Sequence, residues 1–268
     1  MTVLTTTMDD PGPLARVHWM LSDTLTFARR NLLVWARVPA FLVVTVIQPV
    51  MFVLLFRYVF GGAIPVGVPG GYVNFLIPGI IGQSVAFATF ATAVALVNEK
   101  QQGLIDRLRS MPTARSAVLL GRLIAETGRI FLMVAILVGV GYAVGFRFQN
   151  GVAAAIGVVV LATLFGVATC CAWAFLGLAM DNPESVQAFG LVCLFPLAFV
   201  SSAFVPAQTM PGWLQAFASN QPITVFINTM RDLALGGPVA ADLLKSALWL
   251  AGTLVVFVPL AVRAYNRA

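Results

Sequence analysis

Long apolar runs, separated by polar or glycine- and proline-rich connections, dominate this sequence. Crossing ~30 Å of hydrocarbon takes about 20 apolar residues in a helix. Six runs qualify, at residues 40–60, 72–97, 127–145, 152–179, 186–205 and 243–262. None alternates apolar and polar positions as a barrel strand must, so helices are the form in which lipid tolerates their backbone. The segment before the first run differs in kind. Leu14, Val17, Met20, Leu21, Leu25, Leu32, Leu33 and Trp35 mix there with Arg16, His18, Arg29, Arg30 and Arg37. That pattern predicts an amphipathic helix lying in the headgroup plane. The expected fold is therefore an all-α integral membrane protein, with six transmembrane helices preceded by an amphipathic interfacial helix. Residues 1–38 form the cytoplasmic tail and interfacial helix, and 39–268 the transmembrane domain.

The connections carry their own signals. Residues 61–71 (GGAIPVGVPGG) form an uncharged turn region, whereas 98–126 form a charged loop. Residues 206–242 hold Pro206, Pro211, Pro222 and Pro238 yet stay half apolar. Trp213, Leu214, Phe217, Val225, Phe226 and Ile227 predict short interfacial or re-entrant helices there, between spans five and six.

Composition agrees with lipid as the main solvent. The chain is 60% hydrophobic and 10% charged, against roughly 25% charged residues in a soluble domain. The net charge of +6 does not gather into one basic face, so it points to topology and not to nucleic acid. With the N-terminus in the cytoplasm, twelve basic residues fall inside and four outside, the four being Arg57, Arg147, Arg231 and Lys245. Both termini are then cytoplasmic, and the first apolar run acts as an uncleaved insertion signal. Cys170, Cys171 and Cys193 all sit in apolar runs and His18 is the single histidine, which argues against a metal site.

Within residues 98–123, Leu104, Ile105, Leu108 and Met111 fall at helical spacing opposite Lys100, Asp106, Arg107 and Arg109, until Pro112 breaks the pattern. Such a short amphipathic helix either offers its ridge to a cytosolic partner or folds it onto the bilayer. Glu126 and Arg129 share one helix face at the mouth of the third span, as an ion pair or as a gate next to the loop. Gln48, Gln83, Ser84, Thr89, Ser201 and Ser202 interrupt the apolar spans; they either glue helices together or line a route for cargo. No carboxylate lies near the middle of a span, which disfavours proton-driven transport. No Gly-x-x-x-x-Gly-Lys-Ser/Thr occurs, so a phosphate-cradling loop is absent.

The segment Glu-Lys-x-x-Gly-x-x-Asp-Arg-Leu-x-Ser-x-Pro-x-x-Arg, from Glu99 to Arg115, strongly resembles the cytoplasmic loop of ABC type-2 transporter permeases. The likeness is greatest to the daunorubicin-resistance-type drug and lipid exporters of actinobacteria, and it covers nearly the whole chain. It includes the late segment MPGWLQAFASNQPITVFINTMRDLALGG, where the family's usual Asn-Pro pair stands as Asn220-Gln221-Pro222. The resemblance implies a non-enzymatic permease in a bacterial plasma membrane. Two permease chains, identical or sisters, would associate with two cytosolic ATPase subunits that carry ATP and Mg, this chain binding no cofactor. Glu99, Lys100, Gly103, Leu104, Asp106, Arg107, Leu108, Arg109, Met111 and Pro112 would form the ATPase-coupling region. The implied cargo is a hydrophobic drug, polyketide or lipid. A secondary transporter and a membrane-embedded lipid-modifying enzyme are the rival readings, weakened by the missing midplane acids and by the shortage of catalytic side chains.

Overall fold

In a computed structural model that describes residues 13–37, 39–61, 68, 70–105, 107 and 115–267, every regular element among the described residues is helical. In chain order these are α1 (Pro13–Arg37), α2 (Pro39–Tyr58), α3 (Tyr72–Gln101), α4 (Arg115–Ala143), α5 (Gly151–Ala179) and α6 (Pro183–Phe199). A 3-10 turn (Ala207–Thr209) follows, then α7 (Gly212–Asn220), α8 (Pro222–Leu235) and α9 (Val239–Arg267). The proline-start, glycine-stop rule accounts for several ends. Pro183 opens α6 and Pro222 opens α8, where a missing N–H costs nothing, and Gly236 closes α8 in the left-handed conformation.

Four of these helices are long and apolar enough to cross a membrane: Tyr72–Gln101, Leu120–Ala143, Gly151–Ala179 and Val239–Asn266. Val46–Tyr58 and Pro183–Phe199 are apolar but shorter. The last of these corrects an expectation. The apolar run predicted as one helix over 186–205 leaves helical geometry at Phe199, and its remaining residues fold back as a turn. Ser201 Oγ donates to the Ala198 carbonyl and accepts from Ala203 N, which closes that turn. The turn lies directly on α3 because Gly79 has no side chain; a Cβ there would collide with the Ala203 carbonyl.

The 30-residue α3, about 45 Å long at 1.5 Å per residue, is the axis of the fold. α2, α4, α5, α6 and α8 all pack against it. Leu76, Ile77, Ile80, Ile81 and Val85 meet Ile130, Val134 and Leu137 of α4, Phe165 of α5, and Phe226 and Ile227 of α8. Small residues permit the closest approaches, as where Gly177 of α5 faces the Ala93 carbonyl of α3. α8 is thus inserted into the bundle, with Val225, Phe226 and Ile227 buried. Gln221, the residue inside the altered Asn-Pro pair, separates α7 from α8 and donates Nε2 to the Leu197 carbonyl at 2.9 Å, tying that break to α6.

The outer surface is the reverse of a soluble protein's. Met51, Leu54, Val152, Ile156, Val192, Leu244, Leu248 and Val255 are exposed, on helices with few charges. Apolar cover on this scale belongs in lipid, and the chain is a membrane protein. α1 packs along α4, with Phe27 and Ala117 buried together, and leaves Trp19, Leu21 and Leu25 exposed.

Candidate functional site

Polar groups interrupt this apolar interior at both ends of α3 and midway along it. At the C-terminal end, the last turn of α3 presents Glu99, Lys100 and Gln101. Arg122 of α4 donates from Nη1 to Glu99 Oε2 at 2.7 Å. Lys100 Nζ reaches Asp181 Oδ1 at 2.7 Å and the Leu178 carbonyl at 3.2 Å, and Gln101 Nε2 donates to the Asp181 carbonyl at 2.9 Å. The hydrogen bond and the charge of Lys100 hold the Asp181 carboxyl below the ordinary carboxylate range. Together these bonds fasten α3 to α4 and to the α5–α6 turn.

Gly103, at φ 65°, ends the helix. Ile105 then turns inward, buried with Leu96, Leu178 and Tyr265, and Leu104 packs half-buried near Phe27 and Ala117. Of the predicted apolar ridge, Leu104 and Ile105 join the interior, and Arg107 of the charged face is exposed. Asp106, Leu108, Arg109, Met111 and Pro112 lie outside the described residues.

Midway along the α3–α4 contact, Glu126 and Arg129 are both 6% exposed. Arg129 grips Glu126 Oε2 with Nε at 2.7 Å and also with Nη2, which donates in addition to the Ala88 carbonyl of α3 at 2.8 Å. A carboxylate and a guanidinium this deep are tolerable as a pair and very costly singly. The pair stands between two cavities. One, of about 270 Å³, is lined by Gln48 and Phe52 of α2, Gln83, Ser84 and Phe87 of α3, and Arg129 and Met133 of α4. The other, of about 330 Å³, is lined by Arg30, Asn31, Glu99, Leu104, Arg122 and Glu126. Ala91 lines both, so the two adjoin along α3; together they are termed the groove, with the ion pair at its waist. The predicted residues Gln48, Gln83 and Ser84 converge in the first cavity. The Nε2 of Gln83 is buried with no hydrogen-bond partner among the described residues.

Thr89 and Ser201 behave otherwise. Thr89 is fully buried and its hydroxyl donates to the Ala86 carbonyl of its own helix at 3.0 Å. Ser201 is spent on the turn already described. Neither lines the groove, and helix and turn carbonyls satisfy both hydroxyls locally.

Ser202 belongs to a third cavity, of about 360 Å³, near the N-terminal end of α3. Phe75, Gln208, Asn228, Arg231, Asp232 and Asp242 share its lining. Arg231 is buried and donates to the Phe75 carbonyl from Nε at 3.3 Å and Nη2 at 3.1 Å, to the Ser202 carbonyl at 2.9 Å, and to Asn228 Oδ1 at 2.9 Å. Its guanidinium carbon stands 3.7 Å from the centre of the Phe75 ring. Burial pulls the Arg231 pKa down to about 9, opposed by Asp232, and leaves it cationic at neutral pH. Burial, with Asp242 nearby, pushes the Asp232 carboxyl up, and Arg231 opposes that shift. Sequence reasoning counted Arg231 as one of four external charges and missed this cluster. The available signal was Asn228 and Arg231 three residues apart on a helix whose neighbouring positions are apolar.

The chain matches the ABC-2 type transporter family over residues 22–235. It is 32% identical over 246 residues to a daunorubicin resistance ABC transporter permease protein of Streptomyces coeruleorubidus, covering 92% of this chain and 87% of that one. Identity is 29% over 260 residues to a probable doxorubicin resistance ABC transporter permease protein of Mycobacterium tuberculosis, covering 96% and 93%. A putative transport permease of Pyropia yezoensis is 29% identical over 224 residues, covering 81% and 75%.

Proposed function

This chain belongs to the ABC-2 type transporter family, and from that premise we propose that it is the membrane-spanning permease subunit of an ATP-driven exporter. Its cargo is a hydrophobic drug, polyketide or lipid leaving the cytoplasm; the names of two relatives attach them to daunorubicin and doxorubicin resistance. ATP and Mg belong to two separate ATPase subunits, and a second permease chain, identical or a sister, completes the pathway. Both termini are cytoplasmic in a bacterial plasma membrane. α2 and α6 join the four long helices to make six spans, with α1 at the inner interface and α7 and α8 re-entrant from outside.

The observation that carries this reading is the continuity of α3. One helix runs from the Arg231 junction, past the groove, to Glu99 and Lys100, where the coupling segment begins. A displacement of residues 99–112 by an ATPase would therefore act on the Glu99–Arg122 and Lys100–Asp181 bonds first. It would act next on the Arg129–Ala88 contact at the waist of the groove. Co-expression with a P-loop ATPase and purification on a tag carried by the permease tests the reading. The expected result is a stable complex whose ATP hydrolysis rises with added hydrophobic drug. A permease that purifies alone, and whose host exports drug equally well without any ATPase, would contradict it.

A further inference from the structure

Gln83 is the twelfth residue of α3 and so stands about 17 Å along it, a distance of roughly half the ~30 Å hydrocarbon thickness. It is 2% exposed, and its amide donor has no partner among the described residues. At that depth water is scarce, and an unmade hydrogen bond is a standing cost. Leucine or methionine would remove the cost without changing the helix. A residue that lowers stability in this way marks a site kept for something else.

Its surroundings specify what would satisfy it. Gln83 lines the 270 Å³ cavity with Gln48, Ser84, Phe52, Phe87 and Met133. Gln48 and Ala91 are exposed at the rim, so the cavity opens sideways from the bundle. Phenylalanine rings and a methionine suit a flat or flexible apolar body. The charge in the lining, Arg129, is cancelled by Glu126. A cationic ligand would find no free carboxylate there, and an anion no free guanidinium, while either would lose its hydration.

We infer that this cavity binds an uncharged apolar ligand through an oxygen acceptor, a carbonyl or ether, that takes the Gln83 amide hydrogen. The inference rests on the exporter reading and names the substrate class of its groove. The resulting selectivity is for neutral oxygenated ring systems over pure hydrocarbons and over amines of the same skeleton.

The test uses the full chain in nanodiscs of phosphatidylethanolamine and phosphatidylglycerol. The probes are neutral 1,4-dihydroxyanthraquinone, anthracene as the acceptor-free control, and an aminoalkyl anthraquinone as the cationic one. Saturable binding of the neutral quinone is expected, with both controls about tenfold weaker. Gln83→Leu and Gln83→Met should each weaken the quinone about tenfold and leave anthracene unchanged. Both should also raise the melting temperature of the unliganded chain by about 3 °C, because an unsatisfied donor is removed. A merely structural glutamine would not combine lost affinity with gained stability.

Absence of saturable quinone binding, equal binding of quinone and anthracene, or unchanged affinity in both variants would overturn the inference. So would a fall in melting temperature, or an altered oligomeric state at intact affinity, since either would show that the amide already has a partner. If the unaltered chain assembles with an ATPase and exports drug while the variants bind normally, the inference alone fails. If the chain never couples to an ATPase, the exporter reading fails, whatever the cavity binds.

Discussion

Arg129 and Arg231 are buried to similar degrees, yet one is held by a carboxylate on its own helix and the other by carbonyls from three elements. Arg129 carries Glu126 with it, so the pair travels with α4 and touches α3 through the Ala88 carbonyl. Sliding α3 past α4 would exchange one carbonyl for the next without stranding a charge. Arg231 instead joins α3 at Phe75, the α6–α7 link at Ser202 and its own helix at Asn228, with Phe75's ring beneath it. Moving any one of these elements would strand the guanidinium. A shift of α3 is therefore expected to cost less at the groove's waist than at the cavity by its N-terminal end.

The largest effect should come from breaking the rigid end. Arg231→Met leaves two carbonyls and an amide unpaired in a buried junction, a loss of about 4 kcal/mol. Low membrane abundance and a lowered melting temperature of the purified chain would register it. Arg231→Lys should rescue little, because an ammonium cannot span three acceptors as the planar fork does.

The waist should break differently. Glu126→Leu strands a buried guanidinium and should cost about 3 kcal/mol, whereas Glu126→Leu with Arg129→Met should recover most of that loss. A thermal double-mutant cycle measures this. If the pair also links the groove to the coupling end, the recovered double variant should still transport poorly. Normal efflux in that variant would reduce the pair to packing.

The smallest effect is a pH slope. The Asp232 carboxyl is raised by burial and by Asp242, so the folded chain binds this proton more readily than the unfolded one. Stability from this group is therefore fullest below the ordinary carboxylate value and falls as pH rises through the raised one. Asp232→Asn should flatten melting temperature against pH on the acidic side of neutrality. An unchanged slope would show that the Asp232 carboxyl is not its source.

Periodicity made much of this molecule legible. The runs at 72–97, 127–145, 152–179 and 243–262 correspond to α3, α4, α5 and α9, because lipid enforces uninterrupted apolar length. In the run 186–205 apolarity alone is a poor guide, because it does not mark the end of the helix. Ser201, Gly79 and the buried α8 decide the break at Phe199, and those are tertiary facts. The site was legible in part. Glu126 with Arg129, and Gln48 with Gln83 and Ser84, stood out as polar groups in apolar helices, and the fold brings them to one groove. Thr89 looked equivalent in sequence, but its hydroxyl is satisfied one turn back, which composition does not reveal. Arg231 was visible as a charge and not as a junction, since the carbonyls that tie it to other elements, Phe75 and Ser202, are far away in sequence.

Coupling of this permease to an ATPase through residues 99–112 is the proposal on which the exporter reading turns. It is checked by ATP-dependent accumulation of the neutral 1,4-dihydroxyanthraquinone in inverted membrane vesicles holding the permease and its ATPase. Leu108→Asp is the decisive variant, because a charge on the apolar ridge expected from the sequence should block docking in a desolvated groove. The expected result is normal permease abundance, loss of the co-purifying ATPase and at least tenfold slower accumulation. Wild-type accumulation with the ATPase still bound would contradict it.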